Sequence, residues 1–200
     1  MRNIVAILRG VRPDEVLDIA GALIAAGITK IEVPLNSPGP MISIASLVEH
    51  YGQEALIGAG TVLSTDDVAA VREAGGRLVV SPDCDPQVIA ATKAAGMLSY
   101  PGVMTPTECF AALRAGADGL KIFPGSLIGP AGLKAIRAVL PPDTEVLAVG
   151  GAGAANLAEW AAAGASGFGI GSALYAPGDT APTVATRAAE LVQRYDEAMS

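Results

Sequence analysis

The segment "GLKIFPGS", residues 119–126, sets a lysine among Leu120, Ile122 and Phe123 in a run of strand-forming length. The chain has only four lysines, and an ammonium in a strand buried on both faces forfeits several kcal/mol of solvation unless it is paired or neutral. Alternation along a strand sends Leu120 and Ile122 to one side and Lys121 to the other. With the apolar pair under helices, Lys121 points into the interior of a closed sheet. The same parity in "KIEVP" (30–34) puts Ile31 and Val33 together and turns Glu32 to the opposite side.

Short apolar runs alternate with Ala-rich helical segments over the whole chain. The strand candidates are "IVAIL" (4–8), "KIEVP" (30–34), "LIGAG" (56–60), "RLVVS" (77–81), "MLSYP" (97–101), "GLKIF" (119–123), "EVLAV" (145–149) and "GFGIG" (167–171). Pro13-Asp14-Glu15, Thr65-Asp66-Asp67 and Thr105-Pro106-Thr107-Glu108 carry the caps, early prolines and acids of helix starts. Glycine ends the helices: "AAG" recurs at 25–27, 94–96 and 162–164, where a left-handed cap costs glycine nothing. Eight βα units in 200 residues predict one domain spanning residues 1–200, a compact (β/α)8 TIM barrel. The competing architecture is a doubly wound open sheet, disfavoured because none of the strands reads as a polar edge.

Composition narrows the partners. A net charge of -7 and a pI near 4.6 argue against nucleic acid and anionic membrane surfaces, so any phosphate must be held locally. "IVAIL" is cut short by Arg9 before it could serve as a secretory core, and Cys84 and Cys109 are the only cysteines. A cytoplasmic protein with reduced thiols is expected. The uncharged stretch near 160–178 is broken by glycines and Pro177 and suits packed αβ turns better than a membrane span.

In a barrel of this kind, chemistry sits at the C-terminal ends of the strands. An inward lysine in an apolar pocket is a candidate amine nucleophile toward a ketone, and Glu32 a candidate base for the proton that must move when a carbon–carbon bond breaks. A snorkelling or salt-bridged lysine is the plainer alternative. "VGGAG" (149–153) and "GIGSA" (169–173) follow the seventh and eighth strand candidates. Glycine amides there commonly cradle phosphate, which makes Gly150, Gly151, Gly171 and Ser172 binding candidates. "GFGIGS" lacks the spacing and context of a dinucleotide fingerprint. Arg9 and Thr61 sit just past the first and third strands, where a guanidinium and a hydroxyl suit a carboxylate or phosphate. "PGVMTP" (101–106) reads as a further rim turn, and the other lysines as ordinary, Lys30 starting a strand and Lys93 and Lys134 in helices. His50 lies at a helix end on the far face, no metal cluster can be drawn on the rim strands, and Cys84 lacks a base.

The ordered set "AILRG", "IEVPLNSP", "IGAGTV", "GLKIFP", "AVGG" and "GIGSALY" resembles the class I 2-keto-3-deoxy-6-phospho-aldonate aldolases over nearly the whole chain. The resemblance implies Lys121 as the Schiff-base lysine, Glu32 as the acid/base, and Arg9, Thr61, Gly151, Gly171 and Ser172 as substrate contacts. It also implies pyruvate and D-glyceraldehyde 3-phosphate as products, no metal or organic cofactor, and a homotrimer. Gluconate-specific relatives read E-V-T-L-R-T and T-G-G where this chain has "EVPLNS" and "VGG". Asn36 thus stands in place of an arginine and Val149 in place of a threonine near the C4 hydroxyl, which favours the galactonate epimer and leaves Arg9 as the carboxylate partner. The first strand begins almost at Met1, so a short segment or a neighbouring subunit is expected to cover the barrel base. The same chemistry on the gluconate epimer, a metal-free phosphosugar isomerase or epimerase, and a noncatalytic phosphate-ligand binder are the competing readings.

Overall fold

The computed structural model describes residues 2–200. The strands are β1 (Ile4–Ile7), β2 (Lys30–Pro34), β3 (Leu56–Gly60), β4 (Leu78–Val80), β5 (Leu98–Tyr100), β6 (Gly102–Val103), β7 (Leu120–Ile122), β8 (Val146–Val149) and β9 (Gly167–Ile170). Between and after them run α1 (Val16–Ala25), α2 (Pro40–Tyr51), α3 (Thr65–Glu73), α4 (Pro86–Ala94), α5 (Pro106–Arg114), α6 (Gly125–Arg137), α7 (Leu157–Ala162) and α8 (Ala181–Ala198). All pairings are parallel, in the order β5-β4-β3-β2-β1-β9-β8-β7-β6.

The two ends of that order are consecutive in the chain. β5 lies within the expected fifth strand, and β6 continues it past Pro101, whose ring fixes φ and removes a ladder donor. The Lys121 amide donates to the Pro101 carbonyl (2.9 Å) and the Phe123 amide to Val103 (3.1 Å). These bonds close the ring into the expected barrel and set aside the open-sheet alternative. They also correct one reading: residues 102–103 are strand, not rim turn.

Alternation sorts the strands into two apolar shells. Ile4, Ala6, Leu8, Ile31, Val33, Leu120, Ile122, Ala148 and Phe168 join the helices in the larger shell, whereas Val5, Ile7, Leu78, Val80, Tyr100, Leu147 and Val149 fill the barrel. Each such aliphatic side chain contributes about 1.5–3 kcal/mol by leaving water. The helix signals work largely as read. Thr105 forms a capping box with Glu108, but α3 is capped by Ser64, whose hydroxyl accepts the Asp67 amide, rather than by Thr65. Gly27, Gly96 and Gly164, which end the "AAG" triplets, have φ of 91°, 75° and 101°.

The floor of the barrel departs from expectation. Lys30 shares the inward parity of Glu32 and is not an ordinary strand-end lysine. Its Nζ donates to Asn3 Oδ1 (2.7 Å), while Asn3 Nδ2 donates to Glu145 Oε1 and to the Ser166 carbonyl, both at 3.0 Å. The Tyr100 hydroxyl donates to the same Glu145 oxygen at 2.9 Å. A closed polar layer therefore fills the base from within the chain. Asn3→Ala removes three of these bonds, and we expect it to lower the urea midpoint, corresponding to about 2–4 kcal/mol, at an unchanged m-value. An unchanged midpoint would show that the floor does not hold the barrel together.

Candidate active site

The opposite end is built differently. β2 carries Glu32 and β7 carries Lys121 into the barrel mouth, with relative exposures of 1% and 5%. Glu32 pairs in register with Ile7 and Gly58, and Lys121 with Gly102 and Leu147. Glu32 Oε2 is sealed from solvent and has no hydrogen-bond partner. Lys121 Nζ lies 4.6 Å from the centroid of the Phe123 ring. Phe123 was not singled out in the sequence, although it lies two residues beyond Lys121 and shares its parity.

Burial acts on both groups in the same sense. It raises the Glu32 carboxyl to about 7, against the opposing pull of the Lys121 and Arg9 charges. It lowers the Lys121 amine, Arg9 adding to the effect and Glu32 opposing it. Each is driven toward its neutral form, the amine toward a nucleophile and the carboxyl toward an acid that can give and retake a proton near neutrality.

Space for the carboxyl comes from β3. A Cβ on Gly60 would collide with all three atoms of the Glu32 carboxyl group, so glycine is the residue that lets Glu32 stand there. No sequence pattern marks this need, because "GAG" also serves as a simple turn. Thr61 follows with φ of 56°, a left-handed conformation that is strained for a β-branched residue by about 1–3 kcal/mol.

Above the pair opens a cleft of about 720 Å³ lined by Arg9, Lys121, Val149, Gly150, Gly151, Gly171 and Ser172. Seven of the ten sequence-predicted site residues thus meet on one surface. The other three do not line it: Glu32 is buried on β2, Asn36 bonds Arg9, and Thr61 directly follows β3. Asn36 Oδ1 accepts a hydrogen bond from Arg9 Nη1 at 2.7 Å, so the asparagine aims the guanidinium. Gly150 and Gly151 have φ of 86° and 88°, the backbone that carries the chain sharply away from β8. Cys84 and Cys109 stay outside this chemistry, since burial raises both thiols, Cys109 to about 11. His50, at the end of α2, donates from Nδ1 to the Ser46 carbonyl at 3.0 Å.

Comparison with known proteins decides the family. A model of the KDPG and KHG aldolases matches residues 1–181. The chain belongs to that aldolase family. It is 51% identical over 195 residues to the probable 2-dehydro-3-deoxy-6-phosphogalactonate aldolase of Rhizobium meliloti, covering 98% of this chain and 92% of that one. It is 48% identical over 196 residues to the 2-dehydro-3-deoxy-6-phosphogalactonate aldolase of Escherichia coli K12, covering 98% and 96%. A solved structure described as native KDPGal superposes with a TM-score of 0.96 at 49% identity, covering 98% and 95%.

The raised Glu32 carboxyl fixes the sign of a pH effect in this aldolase barrel. Between its ordinary value of 4.5 and about 7 the folded chain keeps a proton that the unfolded chain has lost. The resulting stability is fully present below 4.5 and is lost as pH rises through 7. Relative to Glu32→Gln, the wild type should therefore lose up to about 3 kcal/mol of unfolding free energy between pH 4 and pH 8. Parallel urea curves for the two proteins across that range would contradict the burial of this carboxyl.

Proposed function

We propose that the protein is a class I aldolase cleaving 2-dehydro-3-deoxy-6-phospho-D-galactonate to pyruvate and D-glyceraldehyde 3-phosphate. The observation that carries this reading is the unpaired, buried Lys121 and Glu32 sharing one barrel mouth. The Lys121 amine adds to the C2 ketone, and loss of water from the carbinolamine leaves a protonated imine. Glu32 supplies and takes back the protons of these steps. The imine draws electrons from C3 as the C3–C4 bond breaks, the C4 hydroxyl proton passing to Glu32. D-Glyceraldehyde 3-phosphate departs, the enamine is protonated at C3, and water releases pyruvate and the free lysine.

Substrate contacts follow from the cleft. Arg9, held by Asn36, suits the carboxylate, which a guanidinium can grip with two bonds. Gly150, Gly151, Gly171 and Ser172 suit the phosphate, and Thr61, directly after β3, has a hydroxyl suited to a polar group of the substrate. Val149, buried with no hydroxyl to offer beside the scissile bond, supports the galactonate over the gluconate epimer. No helix among the described residues is long and apolar enough to cross a membrane. A homotrimer in the cytoplasm, serving galactonate breakdown, completes the proposal.

Borohydride reduction in the presence of pyruvate tests the chemistry. We expect the mass of a reduced pyruvate adduct on the peptide containing Lys121, no adduct and no cleavage in Lys121→Ala, and faster cleavage of the galactonate than of the gluconate phosphate by the wild type. Turnover without an adduct would overturn the imine mechanism in favour of proton-transfer isomerisation. Equal rates on the two epimers would overturn the substrate assignment.

A further inference from the structure

Beyond β8 the chain passes through "GGAGAAN" (150–156) before entering α7. Asn156 occupies the position that flanks the helix start, where an asparagine side chain ordinarily accepts an amide of the first turn and stabilises the helix by about 1 kcal/mol. Here it makes no such bond. Its side chain turns back onto the preceding loop: Oδ1 accepts the Gly153 amide at 3.0 Å and Nδ2 donates to the Gly151 carbonyl at 2.8 Å. The Asn156 amide also donates to the Gly153 carbonyl at 3.0 Å. Three bonds thus tie residues 151–156 into a ring at the wall of the cleft, which Asn156 itself lines.

We propose that Asn156 is a positioning residue for phosphate: it fixes the Gly150–Gly153 loop in the geometry that presents backbone amides to the anion. The inference rests on the functional reading above for the phosphate being the substrate's own. By occupying the Gly151 carbonyl and the Gly153 amide, Asn156 sets the peptide planes on either side of Ala152. Glycine-rich backbone would otherwise sample many conformations, and holding it beforehand removes that ordering cost from binding. Donors held in place before the charge arrives are worth more than donors that must reorganise. An asparagine that gives up helix capping to do this is placed for the loop rather than for the helix.

The test compares wild type, Asn156→Ala and Asn156→Ser. Serine caps a helix about as well as asparagine but is too short to span the loop, so it separates the two roles. We expect both variants to bind inorganic phosphate about tenfold more weakly by 31P NMR, the equivalent of one charge-assisted hydrogen bond. In condensation with pyruvate, both should lose about tenfold of the preference for D-glyceraldehyde 3-phosphate over unphosphorylated D-glyceraldehyde, chiefly through KM. The pyruvate adduct on Lys121 should form as in the wild type. Unchanged phosphate affinity, equal losses on the two aldehydes, or recovery in the serine variant would overturn the proposal. Failure of the wild type to form the adduct would strike the aldolase reading alone, because the phosphate measurement does not depend on it.

Discussion

The arrangement depends on burying an amine and a carboxyl in one barrel mouth without letting them clasp. At about 4 Å two opposite charges attract by roughly 4 kcal/mol in a medium of intermediate polarity, enough to hold both ionised. Lys121 and Glu32 are close enough to feel each other, yet the carboxyl oxygen Oε2 has no hydrogen-bond partner. Desolvation therefore prevails over mutual attraction, and both groups move toward neutrality. A lysine that must attack a ketone and an acid that must carry protons near pH 7 need this balance.

The two ends of the barrel show the same chain solving opposite problems. At the floor, Lys30, Asn3, Tyr100 and Glu145 are tied to one another by hydrogen bonds. At the mouth, Glu32 is left unsatisfied, Thr61 holds a left-handed backbone, and Gly60 is kept bare to admit the carboxyl. The strained Thr61 backbone and the unmet Glu32 oxygen both lie at the end where substrate can meet them. The narrow interior matters here: with β3 this close to β2, a single methyl group at residue 60 decides where the acid stands.

Much of this was legible because barrel strands obey a period of two. Parity alone turned Lys121 and Glu32 inward, and the glycines after the "AAG" helices took the left-handed caps expected of them. The same parity applies to Lys30, read as an ordinary strand start, and to Phe123, which the sequence did not single out. Other features depend on contacts between distant segments, which no local pattern records. The Gly60–Glu32 approach joins two strands, the Arg9–Asn36 bond joins two loops, and Asn156 looks like a routine helix cap until its bonds are traced. Pro101 splits the fifth strand for a local reason, a missing donor, yet the sheet continues because the next two residues still pair with β7.

Titration of the Lys121 amine tests the central claim most directly. The rate at which acetic anhydride acylates Lys121, followed against pH by mass spectrometry in the wild type and in Glu32→Gln, reports the fraction of neutral amine. We expect a midpoint clearly below the 10.5 of an ordinary lysine in the wild type, and a further fall in Glu32→Gln, where the one group that favours the charged amine is gone. A wild-type midpoint at or above 10.5 would contradict that claim.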